Sequence, residues 1–314
     1  MGGVRNSDNQ VYDVLVIGGG PAGLTAALNL VTEGRSVVVV DGACECGGQA
    51  RHALRVVNLF GVSGGVRGQT LVENTHSQIK SFGGTILLET EVVSLLRGSD
   101  RFIVTCRDGG TLEAQAVVIA TGTTWRHLSV FDQYLERGVV YGSPEYGQHF
   151  DDQTVLVVGG GNSAGQAALH VAGRGAARVH LVMRCQLGIR MSDYLVHDII
   201  GESRITVHEA TEVETVSGAD SIQVVALSSG VSLAVSAAYL LAGGTPNTAC
   251  VCSFVDCDDS GHVITREDYV TSVPGVFAIG DARMGAVTRI QAATGDGATV
   301  APRVHRWLGS PAFA

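Results

Sequence analysis

The chain has 314 residues, enough for two ordinary domains or one large one, so a small stapled scaffold is excluded. It is 45% hydrophobic and 16% charged with 42 glycines against 6 prolines, which is too apolar for disorder and too glycine-rich for a helical bundle. A net charge of -9 excludes a non-specific nucleic-acid or anionic-membrane footprint, and seven cysteines are too sparse for a disulfide framework.

Residues 1–10 are polar, without the basic-then-apolar layout of a signal peptide, and are expected as a loose arm. The apolar runs are strand-length and none predicts a membrane span. With an odd cysteine count, this predicts a reducing, cytoplasmic setting.

A strand, a glycine-rich turn and a small-residue helix then occur twice. In the first copy, Val14 to Ile17 is a continuous apolar run, as in a parallel strand covered on both faces. Pro21 to Glu33 carries Leu24, Ala27, Leu28 and Val31 at helical spacing and stops at Gly34. Val37 to Val40 is a second strand, closed by Asp41. In the second copy, Val155 to Val158 leads through Gly159-Gly160-Gly161 into an alanine-rich helix closing near Gly173 and Gly175. Val179 to Val182 is its return strand, and a further helix is expected from Ser192 or Asp193. The tail adds a buried strand, Val276 to Ile279, ending in Gly280-Asp281, and a helix from Ala292 to Leu308 that best completes the first copy.

The predicted fold class is α/β, with two Rossmann-like dinucleotide-binding domains of the three-layer ββα type, the second inserted in the first. Residues 1–122 with 248–314 form one domain and 123–247 the other, because Ala120-Thr121-Gly122 and Gly243 to Asn247 are glycine-containing turns after apolar strands.

Gly18, Gly20, Pro21, Ala22 and Gly23 fit G-x-G-x-x-G between a strand and a helix, and Asp41 follows Gly23 by 18 residues. Glycines allow close backbone approach, the helix N-terminus attracts a pyrophosphate, and the acid accepts from a ribose hydroxyl. Gly159, Gly161, Asn162, Ser163 and Ala164 form the second fingerprint, whose return strand ends in Arg184 rather than an acid, with Arg190 six residues later. Two arginines suit a 2′-phosphate and predict NADPH over NADH.

The sequence resembles the low-molecular-weight thioredoxin reductase-like flavoproteins along nearly its whole length. The motifs that carry this are the first dinucleotide turn, Gly47-Gly48-Gln49, Ala120-Thr121-Gly122, Gly159 to Ala164, Gly244 to Thr248, and Thr271 to Asp281. The resemblance implies FAD in the discontinuous domain, with Asp281 on the ribityl chain, and NADPH in the inserted one. It also implies a homodimer and a domain rotation that alternately presents nicotinamide and substrate. Gly48, Gln49, Asn58, Thr121, Gly122, Gly280 and Arg289 are carried over as flavin-side candidates.

Disulfide reductases that it resembles carry Cys-x-x-Cys early in the inserted domain, where this chain has Gly142-Ser143-Pro144-Glu145. That excludes a flavin-to-dithiol relay through this site and points to the branch without the pair. Arg289, six residues before Gly295, stands where disulfide reductases usually have glutamine. If the inserted domain swings, Glu145 approaches the flavin's reactive edge as a proton donor or base, with Tyr146 beside it. Cys44-x-Cys46 reads as two small loop residues, and Cys250, Cys252 and Cys257 as strand and turn without a fourth metal ligand. No metal is expected. The leading function is hydride transfer from NADPH to FAD and on to a small-molecule or external acceptor. The residues leave open an oxidase using O2, a ferredoxin-NADP reductase-like enzyme, and a flavin-binding regulatory protein.

Overall fold

A computed structural model describes residues 10–53, 55–144 and 147–309. The chain divides into two compact units, one up to Thr124 and again from Thr245, the other Trp125–Gly244.

The first unit opens with β1 (Val11–Ile17), α1 (Pro21–Thr32) and β2 (Val37–Val40). All four valines of β2 and the last four residues of β1 are buried, which is what parallel pairing at the centre of a covered sheet demands. α1 ends one residue before the expected Glu33. A one-turn helix α2 (Gly48–Arg51) and α3 (Gly68–Ser81) follow, then β3 (Thr85–Leu87), β4 (Val92–Arg97), β5 (Phe102–Cys106), β6 (Thr111–Ile119) and β7 (Thr123–Trp125). The sheet order is β3-β2-β1-β6-β5-β4. β6 is long because it serves two partners along one edge: its start pairs antiparallel with β5, and its end pairs parallel with the late strand β17 (Val276–Ala278), Val117 opposite Val276.

The second unit holds β8 (Val139–Tyr141), β9 (Thr154–Val158), α4 (Asn162–Gly173), β10 (Arg178–Val182), α5 (Asp193–Gly201) and β11 (Ile205–His208). β12 (Val213–Ser217), β13 (Val224–Leu227) and β14 (Ser232–Ala234) form an antiparallel meander, and β15 (Ala237–Leu240) returns to the parallel sheet, ordered β11-β10-β9-β15-β8. β16 (Gly244–Pro246) pairs with β7 where the chain passes between units.

α6 (Ile290–Leu308), two residues longer at its start than expected, closes the first unit against α1. Gly297 makes this possible, since a side chain there would collide with the Ala22 carbonyl and meet Thr25 Cβ at 2.9 Å. Leu30, Val300, Ala301 and Val304 are wholly buried in the shared core, where truncating a leucine costs about 2–5 kcal/mol.

The segment carrying Cys250, Cys252 and Cys257 departs from expectation. It forms consecutive turns instead of a strand, and Cys252 and Cys257 are joined by a disulfide. The other five cysteines are free. Among the described residues no helix is long and apolar enough to cross a membrane, and no group of three metal-ligating side chains converges.

Candidate functional site: two dinucleotide turns

Each unit places its glycine turn between the first strand and first helix of its parallel sheet, and the glycines of a turn have different physical reasons. Gly18 has φ +106° and Gly159 φ +151°, and a side chain at either would collide with a neighbouring carbonyl, that of Ala120 or Leu241. Gly23 is excluded from bearing a side chain by the Gly18 carbonyl. The middle glycines differ. Gly20 has ordinary extended backbone and nothing within 4 Å of where a Cβ would stand, and Gly161 has only the Arg190 carbonyl at 3.8 Å. Neither backbone nor packing requires glycine there, so the space over Gly20 and Gly161 is left for a ligand that approaches the main chain.

Around the first turn the expected motifs converge. Asp41 accepts from the Gly19 N–H at 2.6 Å and the Ala43 N–H at 2.9 Å. A side chain on Gly48 would stand 3.9 Å from the Gly20 Cα, and Gln49 donates to the Thr123 carbonyl and hydroxyl at 2.7 and 2.8 Å. Gly280, at φ +63°, leaves 2.9 Å between its would-be Cβ and that of Ala22, which seats Asp281 beside the N-terminus of α1. Pro21 stands at the first helical position, where its missing N–H costs nothing.

Asp281 is the most informative group. Its Oδ1 is buried with no hydrogen-bond partner, as is the hydroxyl of Thr121. Burial pushes the Asp281 carboxyl up to about 6, with Asp296 adding to the rise and His262 and Arg283 opposing it. Sequence reading missed the network behind it. Asp296 on α6 accepts from the Gly280 N–H (3.0 Å), the Tyr269 hydroxyl (2.9 Å) and Arg283 (2.8 and 3.2 Å), so its own charge is satisfied while that of Asp281 is not. The signal for it was only the acid of Gly295-Asp296-Gly297, which no spacing tied to Gly280. Two unpartnered buried acceptors beside an open glycine turn fit a ligand rich in hydroxyl donors and phosphate, as the ribityl diphosphate of FAD is.

Asn58 and Arg289 are both exposed, and the structure does not bring Asn58 to the turn. Its loop is tied to the start of α6 by the Phe60 N–H donating to Gln291 at 3.2 Å, next to Arg289, the residue preceding that helix. Cys46 is buried against Gly19, and burial first, then the Asp41 charge, pushes its thiol up to about 11, while Cys44 is exposed; the two are unpaired.

Around the second turn, Arg190 is held by a bridge to Gly161. Asn162 spends its amide on Ser192, donating at 3.0 Å and accepting at 2.8 Å, so it anchors the Arg190 loop and the start of α5. Ala164 is buried and Ser163 exposed. Arg184 is exposed with Glu212 at 3.8 Å, an acid that the return strand's own sequence does not reveal. Gly142 lies at φ +102°, a left-handed backbone that disfavours any side chain, and a Cβ there would meet Trp125 Nε1 at 3.7 Å. Glu145 and Tyr146 lie outside the described residues.

Two dinucleotide turns, one beside an unsatisfied buried acid and one beside arginines, define a flavin and pyridine-nucleotide oxidoreductase. Residues 12–297 match the pyridine nucleotide-disulphide oxidoreductase family, and the chain belongs to it. It is 30% identical to a thioredoxin reductase of Streptomyces clavuligerus over 96% of this chain and 95% of that one. It is 27% identical to an NADH dehydrogenase of Bacillus subtilis, covering 94% of this chain and 58% of that one. The thioredoxin reductase of Lactococcus lactis superposes with a TM-score of 0.88 at 26% identity, covering 95% and 99% of the two chains. The protein is an FAD-dependent NAD(P)H oxidoreductase of the thioredoxin reductase type, with the two Rossmann-like domains of that fold and FAD and NADPH as cofactors.

Proposed function

We propose that this chain oxidises NADPH and reduces a small-molecule or external acceptor without an internal dithiol in its inserted unit. The observation that carries this is that residues 125–244 contain one cysteine, Cys185, which is free, and that Gly142 occupies a left-handed backbone where the first cysteine of a pair would stand. The relatives named thioredoxin reductase support the electron path as far as the flavin and say nothing of the acceptor here.

In this reading Gly18, Gly20, Pro21, Ala22, Gly23, Asp41, Gly48, Gln49, Thr121, Gly122, Gly280 and Asp281 would hold FAD, with Asn58 and Arg289 as further flavin-side contacts. Gly159, Gly161, Asn162, Ser163, Ala164, Arg184 and Arg190 hold NADPH. Bound FAD supplies the two-electron chemistry by which nicotinamide hydride becomes reducing power for a second substrate. The chain's own part is placement. Asp281 and Thr121 accept from hydroxyl donors, and the N–H groups opening α1 and α4 face phosphate. Arg190, steadied through Asn162 and Ser192, meets a 2′-phosphate with a charge-assisted bond. Glu145 and Tyr146 remain the proposed proton-handling pair. A homodimer without a membrane or nucleic-acid partner, working in the cytoplasm, completes the proposal.

Anaerobic addition of NADPH to the purified yellow protein tests it. The flavin absorbance should bleach with about one equivalent per flavin; a flavin that stays oxidised removes the reading.

A further inference from the structure

The disulfide between Cys252 and Cys257 lies in the segment that joins the two flavin-side motifs of the first unit. At one end, Asn247 grips the Thr121–Gly122 turn. Its N–H donates to the Gly122 carbonyl at 2.9 Å, its amide donates to the Thr121 carbonyl at 3.1 Å, and it accepts from Thr124 at 2.6 Å. The next residue, Thr248, starts the turn that carries Cys252, whose N–H donates to the Thr248 carbonyl at 2.9 Å. At the other end, Cys257 opens a tight hairpin and bridges to Val263. Val263 is wholly buried and clasps the strand next to Asp281, donating to the Ala282 carbonyl and accepting from the Met284 N–H, each at 2.9 Å. The hairpin tip carries His262, whose charge acts on Asp281 and whose ring lies 3.7 Å from Asp258.

Between the Cys252 turn and the Cys257 hairpin the side-chain ties are few. The Thr248 hydroxyl donates to the Gly261 carbonyl, and the disulfide supplies the covalent link. Both cysteines are half-buried, within reach of a small thiol, whereas burial raises the Cys250 thiol and keeps it from competing as a nucleophile.

We propose that the Cys252–Cys257 disulfide is a thiol-exchange site through which an external dithiol controls how tightly this chain holds FAD. The inference rests on the reading that Asp281 and the Thr121–Gly122 turn hold that cofactor. In the exchange, a thiolate of the dithiol attacks one cysteine sulfur and the other cysteine leaves as a thiolate and takes a proton. The reagent's second thiol then displaces the first cysteine. One disulfide is reduced to two thiols, the dithiol becomes a disulfide, and two electrons have moved. Freed from the turn, the hairpin no longer fixes His262 beside Asp281 or steadies the Asn247 grip on the Thr121 turn, while β17 stays paired with β6. Linkage makes the effect reciprocal: bound FAD must protect the disulfide from reduction by the same factor by which the disulfide strengthens FAD.

Dithiothreitol is the probe, applied to folded apoprotein and holoprotein with far-UV circular dichroism as the check on folding. Free thiols, counted after denaturation, should rise from five to seven on reduction. The FAD dissociation constant should weaken about 5- to 150-fold, and the dithiothreitol needed for half reduction should be correspondingly higher in the holoprotein. The double variant Cys252→Ser with Cys257→Ser should bind FAD at the reduced value whether or not dithiothreitol is present. A count that reaches seven with FAD affinity unchanged overturns the inference, as does a count fixed at five in folded apoprotein at saturating dithiothreitol. An oxidised protein that takes up no FAD overturns the underlying reading instead, and the inference with it.

Discussion

Replacing Asp281 by asparagine should make the apoprotein more stable and the holoprotein worse at keeping its flavin. In the folded chain the Asp281 carboxyl is pushed from its usual 3.8 to about 6, first by burial and then by Asp296. At 1.36 kcal/mol per pH unit the difference corresponds to about 3 kcal/mol against the charged form at neutral pH. A raised acid binds more protons folded than unfolded, so its contribution is intact below pH 3.8, is lost as pH rises to about 6, and stays lost above that. Asp281→Asn keeps the shape and removes the titration. Urea unfolding of apoprotein should therefore show the variant more stable by about 1–3 kcal/mol at pH 7.5, with a flattened stability profile between pH 4 and 6. FAD should bind about ten- to a hundredfold more weakly, since an ionised acceptor's hydrogen bond contributes about 1.5–3 kcal/mol. A variant no more stable than the parent at pH 7.5, with the parent's slope below pH 6, would refute the reasoning.

The glycines of the first turn should separate folding from binding. Gly20→Ala should change urea stability by less than about 0.5 kcal/mol yet lower flavin content, while Gly23→Ala, aimed into the Gly18 carbonyl, should lose soluble folded protein. Arg184→Ala with Arg190→Ala should raise KM for NADPH by roughly tenfold or more per arginine, and leave KM for NADH within about twofold, in steady-state assays. His180, buried against His208 at 3.0 Å, is pushed down to about 4 by burial, the neighbouring ring and Arg178. The stability it contributes is present above pH 6.5 and lost as pH falls to about 4. His180→Leu should accordingly flatten the acid limb of the unfolding profile by about 1–3 kcal/mol, followed by circular dichroism.

The elements that sequence made legible are those whose signal is local. The Val14 to Ile17 part of β1, β2 and the Val155 to Val158 part of β9 are continuous apolar runs, and both turns combine glycines with a following small-residue helix, so period and spacing sufficed. Even the return of the tail to the first unit was readable, because Val276 to Ile279 needs a covered sheet edge. What was not legible depends on which distant residues meet. Nothing in the spacing of Cys250, Cys252 and Cys257 says which two pair, and the strand expected there is a series of turns. Asp296 behind Asp281, Glu212 beside Arg184 and Ser192 against Asn162 are all choices made by packing of separate segments. The backbone form of the glycine turns was therefore legible in the sequence, and the acids that set their electrostatics were not.

The split layout of the first unit also dictates an order of events during synthesis. β6 and α1 emerge early, but the partners that cover them, β17 and α6, are made only after the whole of the contiguous second unit. The contiguous unit Trp125–Gly244 has all its strands before then and can close while the first unit still exposes the Leu30 face of α1. Loss of α6 would thus leave a nascent chain with one finished unit and one whose α1 keeps an open apolar face, a recipe for aggregation rather than for a smaller working enzyme.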